Sequence, residues 1–245
     1  MNKGLAKRST LLSEKPSDST RYVFIDELVR QTDNRGRIRS ELLNILLAGR
    51  DTTASLLSNV WWLLSKHPNV WAQLREDVDT LKNQCPTFEQ LKELKYLRAV
   101  LNEALRLYPV VPINAREAVV DTTLPLGGGP DETAPIFIKK GQSVVWSLYA
   151  MHRRKDYYGE DADEFKPERW LGEKGLRPGW EYLPFNGGPR ICLGQQFALT
   201  EASYTTIRLM QEFQSIQSRD PRPWQEWLTL TCVGANGCKV SLTPF

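Results

Sequence analysis

Hydrophobic residues recur at helical spacing along the first half of the chain. The pattern predicts helices over 22–29 and 38–64, and the second run is long and apolar enough for a central, mostly buried helix. Residues 1–20 are polar, rich in serine and lysine, and show no periodicity. They predict a loose amino-terminal arm.

Two further helices are predicted before the pattern changes. Pro68 closes the long helix, and Asn69 is expected to cap a helix that runs to about residue 83. The next helical pattern covers 87–107. It stops before Pro109, because proline cannot continue a helix.

After Pro109 the chain is rich in β-branched residues divided by turn residues. The segments VVPINAREAVV, LPLGGGP and PIFIKKGQSVVWSLYA predict a small sheet. A loop-rich stretch at 153–184 and a helix over 194–213 follow. The last strands, WLTLTCV and CKVSLTPF, are expected to pair as a hairpin through Gly234–Gly237. The expected fold class is mainly α with small β-sheets (α+β), without internal repeats.

Composition excludes several classes of protein. With 245 residues, of which 41% are hydrophobic and 25% charged, the chain can bury a sizeable core. Its net charge of +3 gives no argument for a nucleic-acid partner. The four cysteines are irregularly spaced, which favours free thiols over a disulfide framework. No apolar run approaches the roughly 20 residues of a membrane-spanning helix, so we expect no anchor in this chain.

The segment FNGGPRICLG, residues 185–194, places a single cysteine before the last predicted long helix. Unpaired backbone N–H groups at the amino end of a helix favour the thiolate of Cys192. Glycines at 187, 188 and 194 let the backbone approach something flat or bulky. A catalytic nucleophile, a multi-cysteine metal site and an axial ligand of haem iron would each need such a thiolate.

The residues restrict the first two possibilities. A nucleophile needs a base, and the only two histidines, His67 and His152, lie in other elements that the sequence does not bring to Cys192. A zinc site needs about four ligands, and Cys192 has no C-x-x-C partner. In a further, non-functional interpretation the glycines form a tight turn and the cysteine is a small buried apolar residue.

Four motifs together carry a resemblance to a known family. Five residues stand in the order F-x-x-G-x-R-x-C-x-G: Phe185, Gly188, Arg190, Cys192 and Gly194. The other three motifs are AGRDTT at 48–53, EALR at 103–106 and PERW at 167–170. In this order and spacing they resemble the cytochrome P450 monooxygenases, whose haem-binding loop matches the first motif.

The resemblance covers only the carboxy-terminal half of that fold. It implies a truncated cytochrome P450 fold over 21–245, after the arm at 1–20. Within it we expect an oxygen-side helix at 37–66, a Glu-Arg helix at 94–107 and the haem-cysteine loop at 185–194.

The same resemblance implies how haem b would be held. Cys192 would be the axial ligand of the iron, and the other expected cofactor-binding residues are Arg190, Phe185, Gly188, Gly194 and Arg116. The two arginines would hold the haem propionates, which a guanidinium suits. Phe185 would shield the sulfur or be ordinary core. Arg116 is matched by spacing alone, and a surface arginine on a strand is its alternative.

The Glu-Arg motif has a physical interpretation of its own. Glu103 and Arg106 are three residues apart, so they share one helix face and can form a bidentate ion pair. On an exposed surface such a pair is worth a few tenths of a kcal/mol, on the order of 0.3. By resemblance, Arg169 completes a buried network with a structural rather than chemical role.

Asp51 and Thr52 follow Gly49 in the middle of a predicted helix. Glycine costs about 1 kcal/mol relative to alanine there, so we expect a local break in the helix. The resemblance implies that Asp51 and Thr52 guide protons to bound oxygen and are catalytic. The alternative is a tolerated kink with Asp51 paired to Arg50.

The function implied by the resemblance is that of a haem-thiolate monooxygenase acting on an apolar small molecule. The strings VPINAREAVVDTTLPLGGGPD and LLAGRDTTASLLS are most similar to the fungal branch that hydroxylates n-alkanes and fatty acids. Residues 110–114 and 233–237 fall where the family lines its substrate pocket. Electrons would come from an NADPH-cytochrome P450 reductase.

The full-length family members sit on the cytosolic face of the endoplasmic reticulum membrane, through an amino-terminal anchor outside this sequence. Because only half of the fold is present, a second hypothesis stays open. In that hypothesis the chain is a truncated, non-catalytic remnant that binds haem weakly or not at all.

Overall fold

The computed structural model describes residues 23–173, 175–229 and 231–245. The predicted arm at 1–20 lies outside the described residues. The chain divides into two compact units, Met1–Asp51 and Thr52–Phe245. Eight helices are described: α1 (Phe24–Gln31), α2 (Arg35–Lys66), α3 (Pro68–Asp79), α4 (Phe88–Glu93), α5 (Lys95–Leu107), α6 (Leu148–Met151), α7 (Lys155–Tyr158) and α8 (Gln195–Glu212).

The described part of the first unit consists of α1 and the beginning of α2. Val29 and Ile38 are fully buried. The apolar residues of the following turns are exposed: Leu43, Ile45, Leu46 and Leu47. The prediction of a mostly buried long helix is therefore wrong for this stretch, which the described residues of the unit leave uncovered.

Helix α2 runs through Gly49 without interruption. The break expected after this glycine is absent. The cost of one glycine, about 1 kcal/mol, is small beside the many hydrogen bonds that a helix of 32 residues makes on either side of it.

The core of the second unit is formed by four helices. The end of α2, together with α3, α5 and α8, contributes most of its buried apolar residues, among them Leu64, Leu74, Leu97, Leu101, Ile207 and Met210. Trp61 and Trp71 meet edge to face, with ring centroids 5.9 Å apart. Each fully buried side chain of this kind contributes about 1.5–3 kcal/mol to the free energy of folding.

Local sequence signals explain where α3 begins. Pro68 is its first residue, a position where the missing N–H costs nothing. His67 is the N-cap, one residue before the proline and two before the predicted Asn69. The helix ends at Asp79, earlier than expected.

The predicted helix over 87–107 is two helices. Thr87 and Gln90 form a reciprocal capping box that starts α4. Leu94 then leaves helical geometry, with φ −75° and ψ 85°, and is the cap before α5. The apolar spacing continues across Leu94, so periodicity alone does not reveal this break.

Eight strands form four two-stranded antiparallel sheets. The strands are β1 (Ile113–Glu117), β2 (Thr122–Gly128), β3 (Ala134–Ile138), β4 (Ser143–Ser147), β5 (Phe213–Ser218), β6 (Glu226–Leu228), β7 (Cys232–Gly234) and β8 (Val240–Pro244). The pairs are β1 with β4, β2 with β3, β5 with β8, and β6 with β7.

The predicted closing hairpin has the wrong partners. Strand β6 pairs with β7 through a turn at 229–231, whereas β8 pairs with β5. Gly234–Gly237 is a turn, closed by a 3.0 Å bond from the Gly237 N–H to the Gly234 carbonyl, but it joins two different sheets. Turn residues show where the chain reverses, and packing decides which strand it meets.

None of the helices within the described ranges combines the length and the apolar character that crossing a membrane requires.

Candidate functional site

The cysteine loop is closed by its own backbone. The Cys192 N–H donates to the Phe185 carbonyl at 2.9 Å, and the Ile191 N–H donates to the Gly188 carbonyl at 3.1 Å. Gly188 begins a short 3₁₀ turn and has φ +67°, a conformation that favours glycine. These bonds hold Cys192 two residues before Gly194, the N-cap of α8.

The thiol of this loop is open to its surroundings. Cys192 is exposed. A Cβ added at Gly194 would lie 3.9 Å from the Cys192 sulfur, and one added at Gly188 would meet no atom within 4 Å. The side chains beside the thiol are apolar and exposed: Ile191 by 45%, Leu193 by 96% and Phe197 by 72%. The loop therefore presents one sulfur on an open, apolar surface.

The glycine at 187 has a different explanation from that expected. A Cβ at this position would lie 2.7 Å from the Trp180 ring, so the close approach is to the protein's own indole. Phe185 packs half-buried against the core of the second unit, in line with its alternative role as core.

Arg190 and Arg116 have different surroundings. The Arg190 side chain is exposed and makes no hydrogen bond or ion pair with the residues that the structure describes. On β1, the Arg116 guanidinium lies 5.2 Å from the Trp146 ring centroid and donates to the Ala115 carbonyl. Arg116 is thus packed on its own sheet, the arrangement of the surface alternative, and contacts no residue of the cysteine loop within the described ranges.

An amide pair nevertheless joins β1 to the loop. Asn186 Nδ2 donates to Asn114 Oδ1 at 3.0 Å. Asn186 has φ +60°, and asparagine is among the few residues that tolerate this region. Sequence reasoning missed the pair, although an asparagine between Phe185 and two glycines is itself a signal for a left-handed residue.

The structure brings Glu103, Arg106 and Arg169 together away from solvent. Glu103 and Arg106 have no exposed side-chain surface, and Arg169 is 7% exposed. Arg106 binds Glu103 in bidentate fashion, with both N···O distances 2.8 Å, and Arg169 Nε lies 2.8 Å from Glu103 Oε1. Burial disfavours the Arg169 cation, but the charge of Glu103 outweighs it and raises the pKa of Arg169.

Two further groups complete the Glu103 shell and were not predicted. The Trp170 indole donates to Glu103 Oε2 at 2.9 Å, and the Lys166 N–H donates to Oε1 at 3.1 Å. The carboxylate thus accepts five hydrogen bonds. Trp170 ends the PERW motif, which was the available signal for its role.

Arg106 binds the backbone of the segment that precedes the cysteine loop. Its three remaining N–H contacts go to the carbonyls of His152, Ala162 and Glu164, at 2.8, 2.6 and 3.1 Å. Arg169 adds contacts to the Tyr158 carbonyl and to Asp161. The network therefore fixes the course of residues 152–170.

His152 is part of the same packing and is fully buried. Its Nε2 accepts the Leu183 N–H at 3.0 Å, just before the cysteine loop. Burial, with the nearby charges of Arg106 and Arg153, lowers its pKa to about 4. His152 is therefore neutral near pH 7 and is engaged with backbone.

Asp51 is paired with its neighbour. Arg50 Nε lies 2.8 Å from Asp51 Oδ1, which is the arrangement of the alternative interpretation. Thr52 is half-buried.

Comparisons with known proteins decide the family. The family model for cytochrome P450 matches residues 2–236. The chain belongs to the cytochrome P450 family. It is 56% identical over 225 residues to the cytochrome P450 monooxygenase himC of Aspergillus japonicus, covering 91% of this chain and 40% of that protein. It is also 56% identical over 206 residues to cytochrome P450 52A3-A of Candida maltosa, covering 81% of this chain and 39% of that protein.

A solved cytochrome P450 confirms the fold class. The crystal structure of CYP102L1 superposes with a TM-score of 0.77 at 28% identity, covering 100% of this chain and 56% of that one. The chain spans about two fifths of the length of the curated P450 relatives it matches.

The residues of this P450 chain fit a haem group. The open Cys192 sulfur can ligate iron, and the exposed Leu193 and Phe197 offer the apolar contact that a flat macrocycle requires. The competing interpretations have less support. The cysteine is not buried, and no group of three or more His, Cys, Asp or Glu side chains within the described ranges is arranged to hold a metal ion.

Proposed function

We propose that this chain supplies the cysteine-ligand half of a haem-thiolate monooxygenase, with Cys192 as the axial ligand of haem b iron. The observation that carries the proposal is the exposed Cys192 thiol in a loop whose backbone bonds are complete without it. A thiol needed only for packing would be buried.

When bound, a thiolate-ligated haem supplies an oxidant that inserts one oxygen atom of O2 into an unactivated C–H bond. The chain's own residues hold and surround that chemistry. The Phe185 carbonyl fixes the Cys192 backbone, and the N-terminus of α8 favours a negative sulfur. Arg190, which has no partner among the described residues, is assigned to a haem propionate. Arg116 has the same assignment on weaker grounds.

Asp51 and Thr52 are assigned to proton delivery. An acid and a hydroxyl one residue apart on a helix can pass a proton between solvent and a bound ligand. Asp51 must leave its pairing with Arg50 to do so, and both side chains are accessible enough for that exchange.

The proposed substrate class is an n-alkane or a fatty acid. Support comes from the several cytochrome P450 52 proteins of Candida among the relatives, at 51–56% identity, and from the resemblance to the fungal alkane-hydroxylating branch. Val111 and Ile113 offer exposed apolar surface in the segment that the family uses for its pocket. The proposed electron donor is an NADPH-cytochrome P450 reductase, and the proposed site is the cytosolic face of the endoplasmic reticulum membrane.

The alternative is a non-catalytic chain that keeps the fold without turnover. The observation that favours it is length, because the chain covers only 40% of a monooxygenase to which it is 56% identical. The two proposals differ in whether these residues bind haem through Cys192.

A haem titration combined with thiol protection distinguishes them. We expect one equivalent of haem to bind and to protect Cys192 from an alkylating reagent, while the exposed Cys85 continues to react as an internal control. A Cys192→Ser variant should lose the bound haem, and a Cys85→Ser variant should retain it. Equal alkylation of Cys192 with and without haem would overturn the assignment.

A further inference from the structure

A second cavity lies at the open end of the β6–β7 hairpin, away from its turn. Its volume is about 220 Å³. It is lined by α2 near Asn59, by residues 220–225, and by residues 233–237. None of its lining residues belongs to the cysteine loop at 185–194, so the proposed function leaves this cavity unexplained.

The floor of the cavity carries a hydrogen-bond donor with no partner. Asn59 is 2% exposed. Its Oδ1 accepts the Trp224 indole N–H at 3.3 Å, which fixes the orientation of the amide. Asn59 Nδ2 is therefore the free end, and it has no hydrogen-bond partner among the described residues. Buried amide donors are nearly always satisfied, so a donor of this kind indicates a missing acceptor.

The walls of the cavity are aromatic and held in place. Trp62 and Trp224 both line it. Both indoles also contact the Tyr108 ring, with centroids 6.1 Å and 4.3 Å away. Two indoles fixed by the same ring suit a flat apolar body better than a branched or flexible one.

The rim of the cavity is charge-balanced. Arg222 binds Asp220 in bidentate fashion, with Nε to Oδ1 at 2.8 Å and Nη2 to Oδ2 at 2.5 Å. Because each charge is already satisfied, the rim offers no preference for an ionic ligand. The cavity is also larger than the roughly 150 Å³ engineered cavity that holds benzene, so one aromatic ring with a substituent fits.

We propose that this cavity binds a small, neutral, flat molecule that carries a carbonyl acceptor, of the size and type of an aromatic amide. The carbonyl accepts from Asn59 Nδ2, and the ring lies against Trp62 and Trp224.

The test is a titration of the full chain, labelled with ¹⁵N at tryptophan, with benzamide and, separately, with toluene. We expect benzamide to shift the Trp62 and Trp224 indole signals in a saturable way and to leave the exposed Trp180 unchanged. Toluene has the ring without the acceptor and should bind at least tenfold more weakly. This comparison needs no protein variant, so it does not depend on how a substitution folds.

A pair of variants places the interaction. Asn59→Leu should weaken benzamide binding at least tenfold. Ser58→Ala is the matched control, because the Ser58 hydroxyl already donates to the Ala54 carbonyl and should leave binding unchanged. The proposal is overturned if the shifts are not saturable, if toluene binds as tightly as benzamide, or if a folded Asn59→Leu chain binds benzamide normally. The readout involves no haem, so it is independent of the fate of Cys192.

Discussion

The Glu103 network and the Cys192 loop differ in how completely this chain satisfies them. The Glu103 carboxylate accepts five hydrogen bonds and has no exposed surface. Cys192 is exposed, and its neighbour Leu193 is 96% exposed. The two regions are linked by residues 152–184, whose course the network fixes.

The difference separates a structural motif from a ligand-binding one. Buried charges must find every partner within the protein, since an unpaired one is costly. A ligand atom must be left without a protein partner. A region whose bonds are complete should therefore control stability, and a region that leaves an atom open should control binding.

The largest expected effect comes from removing the centre of the network. Glu103→Ala leaves Arg106 and Arg169 buried without their shared anion, and we expect a loss of about 3–5 kcal/mol in the free energy of unfolding. Urea denaturation followed by circular dichroism measures it. Glu93→Ala on the exposed end of α4 is the control, with an expected change below about 0.5 kcal/mol. Equal unfolding free energies for the two variants would show that the network is not structural.

The next effect is the pH dependence due to His152. Its pKa is about 4 in the folded chain and 6.5 as the ordinary value, so between these values the unfolded state binds the proton and the native state does not. Stability is therefore fully present above pH 6.5 and falls as the pH decreases toward 4. The difference amounts to roughly 3 kcal/mol.

Two histidine variants isolate this contribution in thermal melts between pH 7 and 4. His152→Gln should flatten the decrease, although it also lowers stability at neutral pH. His67→Gln should retain it. A decrease that is the same in both variants would assign the pH dependence to other groups.

A smaller effect is expected where the loop meets β1. Asn186→Gly keeps the left-handed conformation and loses only the bond to Asn114, for which we expect about 0.5–1.5 kcal/mol. Asn186→Ala also places a Cβ at φ +60°, which adds about 1–2 kcal/mol. Denaturant midpoints measure both variants. If alanine and glycine at this position are equally stable, the backbone strain is absent.

The smallest effect on stability is expected at the cysteine itself. Cys192→Ser changes an exposed side chain that makes no core contact, so the unfolding free energy should change by less than about 0.5 kcal/mol. A loss comparable to that of Glu103→Ala would remove the distinction between the two regions.

The sequence predicted the order of elements better than their connections. The spacing of Glu103 and Arg106 gave a shared helix face, and proline and turn residues placed the ends of most helices. The partner of β8 did not follow from local signals, because β5 continues the apolar pattern of α8 and the pairing depends on contacts distant in the chain. The break at Leu94 was missed for a similar reason.

The candidate site was predictable as motifs and less so as geometry. The F-x-x-G-x-R-x-C-x-G order located Cys192, but Asn186, Trp170 and His152 act through bonds to residues far along the chain. The unpartnered Nδ2 of Asn59 has no signal in the sequence, because its partner status depends on where Trp224 lies.

The most direct test of the account is the carbon monoxide difference spectrum of the haem-loaded, dithionite-reduced chain, recorded beside Cys192→Ser. The account predicts the long-wavelength Soret band typical of thiolate-ligated haem in the unaltered chain and its loss in the variant. A band typical of histidine- or thiol-bound haem, or a spectrum that does not change with Cys192→Ser, would contradict it.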